Sequence, residues 1–271
     1  MHLVVLITCL MLSGCARMFF YPEKDYVLTP QELRVPYQDV DFNASDGTRL
    51  HGWFLPAHQE PVATVLFLHG NAQNISTHIA SVYWLTERRF DVFLLDYRGY
   101  GASGGRPSLD GIHADAEAAL QYLVEELVAA SEALIVFGQS LGGAVAIRMV
   151  AHSPYRDKIK ALIVEGTFAS YPQIVREKLA ELWLTWPLQW LPYATISGAY
   201  DAVNAVAKVS PIPIVIIHGD ADTIVPPAHA HRLYRAAREP KELWMVPGGG
   251  HIEAFSQILC RERLVKYLTG K

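Results

Sequence analysis

The chain has 271 residues, a formal net charge of −4, 18% charged residues and 51% hydrophobic ones. That length suits one large α/β domain with a sizeable buried core. The balance excludes intrinsic disorder, and the lack of any basic run excludes a binder that tracks a nucleic-acid backbone.

The first element is apolar, residues 3–12, and Leu12-Ser13-Gly14-Cys15 follows it. This resembles a bacterial lipoprotein signal, in which the cysteine is lipidated and becomes the mature N-terminus. A membrane span fits poorly, since a helix over residues 3–16 would reach about 21 Å against a hydrocarbon core of roughly 30 Å. The n-region departs from the pattern, with only the α-amine and His2 where Lys or Arg is expected. Ordinary secretion and an uncleaved anchor are the alternatives. Ala16 after the cysteine, by the same resemblance, implies the outer membrane. The expectation is a signal peptide over 1–14, a tether over 15–34 and one domain over 35–271. It places the protein in the bacterial cell envelope, lipid-anchored at Cys15 on the periplasmic side of the outer membrane. Cys9 would leave with the signal, so Cys260 stands alone as a small buried hydrophobe, and no disulfide framework or zinc spacing exists.

Residues 35–43 and 49–55 read as strands around Ser45-Asp46-Gly47, a hairpin signal. Residues 62–68 form a continuous apolar run, as in a buried parallel strand, and end in His69-Gly70-Asn71-Ala72. A helical pattern over 75–88 precedes the next strand, 92–95. Gly99, Gly101 and Gly104 formally spell G-x-G-x-x-G, but Gly105-Arg106-Pro107-Ser108 prolongs the loop, whereas a dinucleotide fingerprint opens a helix at once. A helix over 110–128, a strand over 134–137, a helix over 141–151 and a strand over 161–164 follow. This alternation predicts an α/β fold with a mainly parallel sheet covered by helices on both faces. The rhythm breaks over 167–209, where Trp183, Trp186 and Trp190 stand in a dense apolar cluster. This insertion is expected as a small helical cap whose tryptophans either pack it onto the body or face the substrate. A strand over 212–217, a helix to about 237, a strand over 242–246 and a helix to 268 complete the chain.

The chemistry starts at Gly138-Gln139-Ser140-Leu141-Gly142, between an apolar strand and an Ala-rich helix. Such flanks put the serine at the tip of a sharp strand-to-helix turn, at the positive end of the helix. A serine hydroxyl needs a base, and the base an orienting carboxylate. Asp222 and His251 lie in loops after downstream strands, and Ser, Asp, His is the chain order used on this kind of sheet. Asp220 is the rival acid.

These motifs, with His69-Gly70-Asn71-Ala72, Tyr97-Arg98-Gly99-Tyr100-Gly101-Ala102-Ser103, the loop 218–226 and Gly249-Gly250-His251, resemble the α/β-hydrolases. The closer likeness is to the Bem46-like and ABHD-type serine hydrolases, over roughly 35–268. The resemblance implies Ser140 as nucleophile, Asp222 as acid and His251 as base, with Asp220 bracing its loop. It also implies an oxyanion hole made by the backbone N–H groups of Asn71 and Leu141, and no metal or organic cofactor. His69 and His218 are expected to pack and hydrogen-bond in their loops.

The expected function is a serine hydrolase that cleaves carboxylic esters or thioesters through an acyl-enzyme. Apolar acyl groups are favoured because of the Trp- and Leu-rich insertion, which makes Trp183, Trp186 and Trp190 candidate pocket residues. The partners expected are a small-molecule or lipid-like ester and the membrane. Ser140 rather than Asp at the nucleophile position disfavours haloalkane dehalogenase chemistry. A serine peptidase or amidase of the same fold, and a non-catalytic envelope lipoprotein, are the alternatives.

Overall fold

Eight runs of apolar and β-branched residues become the strands of one sheet in the computed structural model, which describes residues 20–127, 133–181 and 183–270. The expected signal peptide, Cys15 and Leu182 lie outside the described residues. The strands are β1 (Gln38–Asn43), β2 (Arg49–Leu55), β3 (Ala63–Leu68), β4 (Phe90–Asp96), β5 (Leu134–Gln139), β6 (Ile159–Glu165), β7 (Ile214–Gly219) and β8 (Lys241–Val246). Their spatial order is β8-β7-β6-β5-β3-β4-β2-β1. β1 and β2 pair antiparallel, as do β2 and β4, and every other pairing is parallel. The hairpin turn falls where Asp46 and Gly47 predict it, with Gly47 at φ 82° and the Asp46 carboxylate accepting from Thr48 N at 3.0 Å.

The five long helices are α1 (Leu109–Tyr122), α2 (Leu141–His152), α3 (Tyr171–Ala180), α4 (Ala228–Ala236) and α5 (Ile258–Thr269). Because side chains alternate along a strand, even and odd positions feed different cores. Leu66, Leu68, Val136, Leu162 and Ile216 pack with α1 to α4, and Val65, Phe67, Phe137, Ile163 and Ile217 pack with Ile75, Trp84, Phe255 and α5. The helix expected over 75–88 is instead a short turn, Ile75–His78, and two 3₁₀ pieces broken at Val82 (φ −134°). β-branched and aromatic residues there propagate an α-helix poorly. Cys260, expected as buried, is half-buried on α5.

The glycine-rich loop after β4 has a structural filling. Arg98, largely buried, donates to the buried Asp115 carboxylate through Nε and Nη2, and through Nη1 to Asp46. Helix α1 opens only at Leu109, with the Ser108 hydroxyl accepting from Gly111 N. Phe20 to Arg34, expected as part of a tether, packs on the domain. Tyr21–Pro22 forms a parallel ladder with Ala72–Gln73, and Tyr26 donates to Asp96 at 2.9 Å.

Desolvated imidazoles are expected to make the fold acid-sensitive. Desolvation, with Arg148 nearby, pushes His113 down to about 3, and complete burial beside His78 holds His69 well below the ordinary histidine range. In the unfolded chain both titrate near about 6.5. Their contribution is present above that pH and is lost progressively as pH falls toward 3, where the unfolded state binds protons that the native state refuses. Denaturant midpoints are expected to fall between pH 7 and pH 4. His113→Phe, which keeps the stacking on Tyr200, should flatten that slope.

Candidate active site

The carboxyl ends of the parallel strands gather the expected site residues at one edge of the sheet, where open α/β sheets bind ligands. β5 ends at Gln139, and the next residue, Ser140, takes φ 52°, ψ −115°. L-residues rarely occupy that region, at a cost on the order of 1–3 kcal/mol. The strained turn is pinned by Ser140 N donating to Glu165 O at 2.8 Å, and by Gly143 N donating to Ser140 O at 3.1 Å. A Cβ at Gly138 would lie 2.4 Å from the Gly142 carbonyl oxygen, and one at Gly142 would lie 2.0 Å from Leu68 O. Both positions therefore require glycine, and the start of α2 sits directly on the end of β3. Leu141 is the first residue of α2, so its N–H is among those that a helix leaves without an intrahelical partner.

Asn71 faces the same pocket as Ser140 and Leu141. Its carbonyl oxygen accepts from Tyr21 N at 3.0 Å and from the Tyr100 hydroxyl at 2.8 Å. Two donors on one oxygen fix the plane of its peptide. Beneath this loop His69 donates through Nδ1 to Gly70 O at 2.7 Å, a packing role of the expected kind.

The loops after β7 and β8 carry Asp222 and His251, the expected acid and base. Asp222 Oδ1 accepts from Ile224 N and Val225 N at 2.8 and 2.9 Å, and Oδ2 accepts from His251 Nδ1 at 2.7 Å. Burial works to raise the Asp222 carboxyl, but hydrogen bonding from His218 and His251 outweighs it and holds the group well below the usual carboxylate range. With Nδ1 committed to Asp222, Nε2 is the nitrogen left to accept a proton. Asp220 instead accepts from Gly248 N at 2.7 Å and so ties the two loops together. His218 donates through Nε2 to Val225 O at 2.8 Å. The His251 ring packs on Gly166, where a Cβ would lie 3.2 Å from it; the preceding residue is Glu165, whose carbonyl holds Ser140.

Glu165 has a second connection that the motif reading does not contain. Its carboxylate, fully buried, accepts from Gln139 Nε2 at 2.7 Å and from Ala254 N at 2.8 Å. Gln139 Oε1 in turn accepts from His78 Nδ1 at 3.3 Å. One polar chain thus runs beneath the serine turn, from the segment after Asn71 to the loop that carries His251. Desolvation raises the Glu165 carboxyl above its ordinary range, against the hydrogen bonds from Gln139 and Ala254. Only a Glu at a strand end hinted at this role, and its partners are far apart in the chain. Glu165→Leu strands two buried donors and should cost about 2–6 kcal/mol, at 1–3 for each. At permissive temperature it should lower kcat more than it raises KM, as chemical denaturation with steady-state kinetics would show.

Ser140, Leu141 and Asn71 open onto a pocket of about 330 Å³ whose other walls are Tyr21, Phe168, Ile174, Val175, Lys178, Ile224 and Val225. Trp183, Trp186 and Trp190, expected as candidate pocket residues, are not among these walls, and all three are exposed. The reason is register. Helix α3 turns Ile174, Val175 and Lys178 inward, and the tryptophan segment lies beyond its end. A larger cavity, about 880 Å³, opens at the amino ends of the strands, lined in part by Phe90, Ile135, Lys160 and Tyr267, away from these residues.

Known proteins resemble this chain in sequence and in fold. A family model described as "Serine aminopeptidase, S33" (Hydrolase_4) matches residues 59–208, more than half of the chain. The uncharacterized protein YfhR of Escherichia coli (strain K12) is 38% identical over 261 residues, covering 93% of this chain and 87% of YfhR. Protein bem46 of Schizosaccharomyces pombe is 30% identical over 214 residues, covering 75% of this chain and 67% of bem46. Among solved structures, the Pyrococcus furiosus esterase Pf2001 superposes with a TM-score of 0.74 at 23% identity, covering 93% of this chain and 97% of that one. The chain belongs to the α/β-hydrolases and is a Bem46-like member of them.

Proposed function

We propose that this hydrolase cleaves carboxylic esters or thioesters with an apolar acyl group, through Ser140, His251 and Asp222. His251 Nε2 takes the Ser140 proton as the hydroxyl attacks the acyl carbonyl. The oxyanion forms against the N–H groups of Leu141 and Asn71, where each donor contributes on the order of 10²–10³ in turnover. His251 then protonates the leaving alcohol or thiol, and water releases the acyl group by the same steps. Asp222 keeps the ring in the tautomer with hydrogen on Nδ1. The observation that carries this reading is the 2.7 Å bond from His251 to Asp222 at the same sheet edge as the strained Ser140 turn. The acyl group would lie against Phe168, Ile174, Val175 and Val225.

An aminopeptidase, which the matched family's description suggests, needs an acidic group to hold a free α-amine. The described pocket walls include neither Asp nor Glu, and the Lys178 ammonium is paired with Glu181 at 2.7 Å, which favours a neutral substrate. We further propose that residues 1–14 are removed as a signal peptide and that the enzyme is lipid-anchored at Cys15 in a bacterial envelope. A panel of p-nitrophenyl esters of rising chain length, with acyl thioesters and aminoacyl anilides alongside, tests the reaction class. The reading predicts ester or thioester turnover that improves with acyl length up to the capacity of the pocket. Turnover confined to the aminoacyl anilides would contradict it.

A further inference from the structure

The cap carries a surface that this reaction does not use. Residues 183–200 contain no Asp, Glu, Lys or Arg, and several of their large apolar side chains stand in solvent. Trp183 is 86% exposed, Leu184 71%, Trp186 63%, Trp190 64% and Tyr193 58%. Single exposed apolar residues are ordinary, but a run of this kind marks an interaction surface. It is fixed to the pocket wall, since Thr185 donates to Leu179 O at 2.7 Å on α3, whose inward residues line the pocket.

The second observation comes from the other end of the chain. The ladder between Tyr21–Pro22 and Ala72–Gln73 brings the N-terminal segment into the fold at the pocket, where Tyr21 is itself a wall residue. Tyr21 and Ile224, both pocket-lining, are more than half exposed, so the rim is apolar too. Upstream stand the apolar residues 3–12 and Cys15. From Cys15 to Phe20 a fully extended chain reaches at most about 18 Å.

We infer that the cap face docks on a phospholipid bilayer, with the pocket rim against the headgroups. The substrate is then an acyl ester or thioester held in, or presented at, that bilayer. The inference rests on the hydrolase reading for the substrate and on the anchored N-terminus for the geometry. Trp and Tyr suit this position because one end of the ring system is apolar and the other meets water. The run without charges can enter the interface without desolvating an ion. The short anchor holds it within reach, so each apolar contact adds to an attachment already made.

The test uses the full chain reconstituted in vesicles of phosphatidylethanolamine and phosphatidylglycerol with brominated acyl chains. Trp53, Trp84 and Trp244 are buried and stay bright, whereas the three cap tryptophans should be quenched. The variant Trp183→Ser, Trp186→Ser, Trp190→Ser should lose the quenching. It should also lose about tenfold or more in turnover of a long-chain ester embedded in the vesicle, while a soluble short-chain ester changes by less than about twofold. Unquenched cap tryptophans in vesicle-bound chain would overturn the inference, as would equal loss on both esters. So would an unquenched parent whose oligomeric state falls in the variant, which would make a second copy the occupant. If the parent hydrolyses neither ester, the hydrolase reading fails, and the quenching still decides the docking.

Discussion

Ser140→Ala is expected to lower the turnover of a soluble p-nitrophenyl ester by about 10⁴-fold or more, with little change in thermal midpoint. The substitution removes one oxygen and leaves the backbone pins, Glu165 O to Ser140 N and Ser140 O to Gly143 N, as they are. On the proposed mechanism, the variant keeps the oxyanion donors and the pocket but offers an ester no nucleophile. Stopped-flow and steady-state kinetics, with a parallel melt, check both halves. A loss of activity matched by a loss of fold would not count as support, and undiminished turnover would remove Ser140 from the mechanism.

The second large effect belongs to Asp222→Asn, expected to cost about 10³–10⁴ in kcat. An asparagine oxygen can still accept from Ile224 N and Val225 N, so the loop keeps its shape. The amide then presents N–H to His251 Nδ1 where the carboxylate accepted from it at 2.7 Å. The ring must turn over or change tautomer, and Nε2 no longer accepts the Ser140 proton. Asp220→Asn is the matched control. Its oxygen can keep the bond to Gly248 N, and kcat should fall by less than about tenfold. The reverse ranking of the two variants would make Asp220 the orienting acid.

Several parts of this arrangement were legible in the residues. The serine turn announces itself because strand, Gly-x-Ser-x-Gly and helix are contiguous, and glycine is demanded at Gly138 and Gly142 by the close backbone approaches of the turn. The mainly parallel sheet with helices on both faces follows from β/α alternation. Asp222 and His251 were visible because each lies a few residues past an apolar run. Glu165 was not, since its meaning comes from Gln139 and Ala254, partners set by packing between β5, β6 and the last loop. The cap shows the same limit from the other side. Its tryptophans drew the eye as pocket residues, yet composition cannot tell an inward face from an outward one. On α3 the inward positions fell to Ile174, Val175 and Lys178. The aromatic density lies on the cap's exterior, where Trp183, Trp186 and Trp190 are exposed.

Covalent capture shows whether Ser140 is the nucleophile. The folded full chain is treated with a fluorophosphonate and digested, and the adduct is located by mass spectrometry. The mechanism predicts one phosphonyl group on Ser140, absent from Ser140→Ala and strongly slowed in Asp222→Asn. A folded chain that takes up no phosphonate, or takes it up stoichiometrically at another residue, would contradict it.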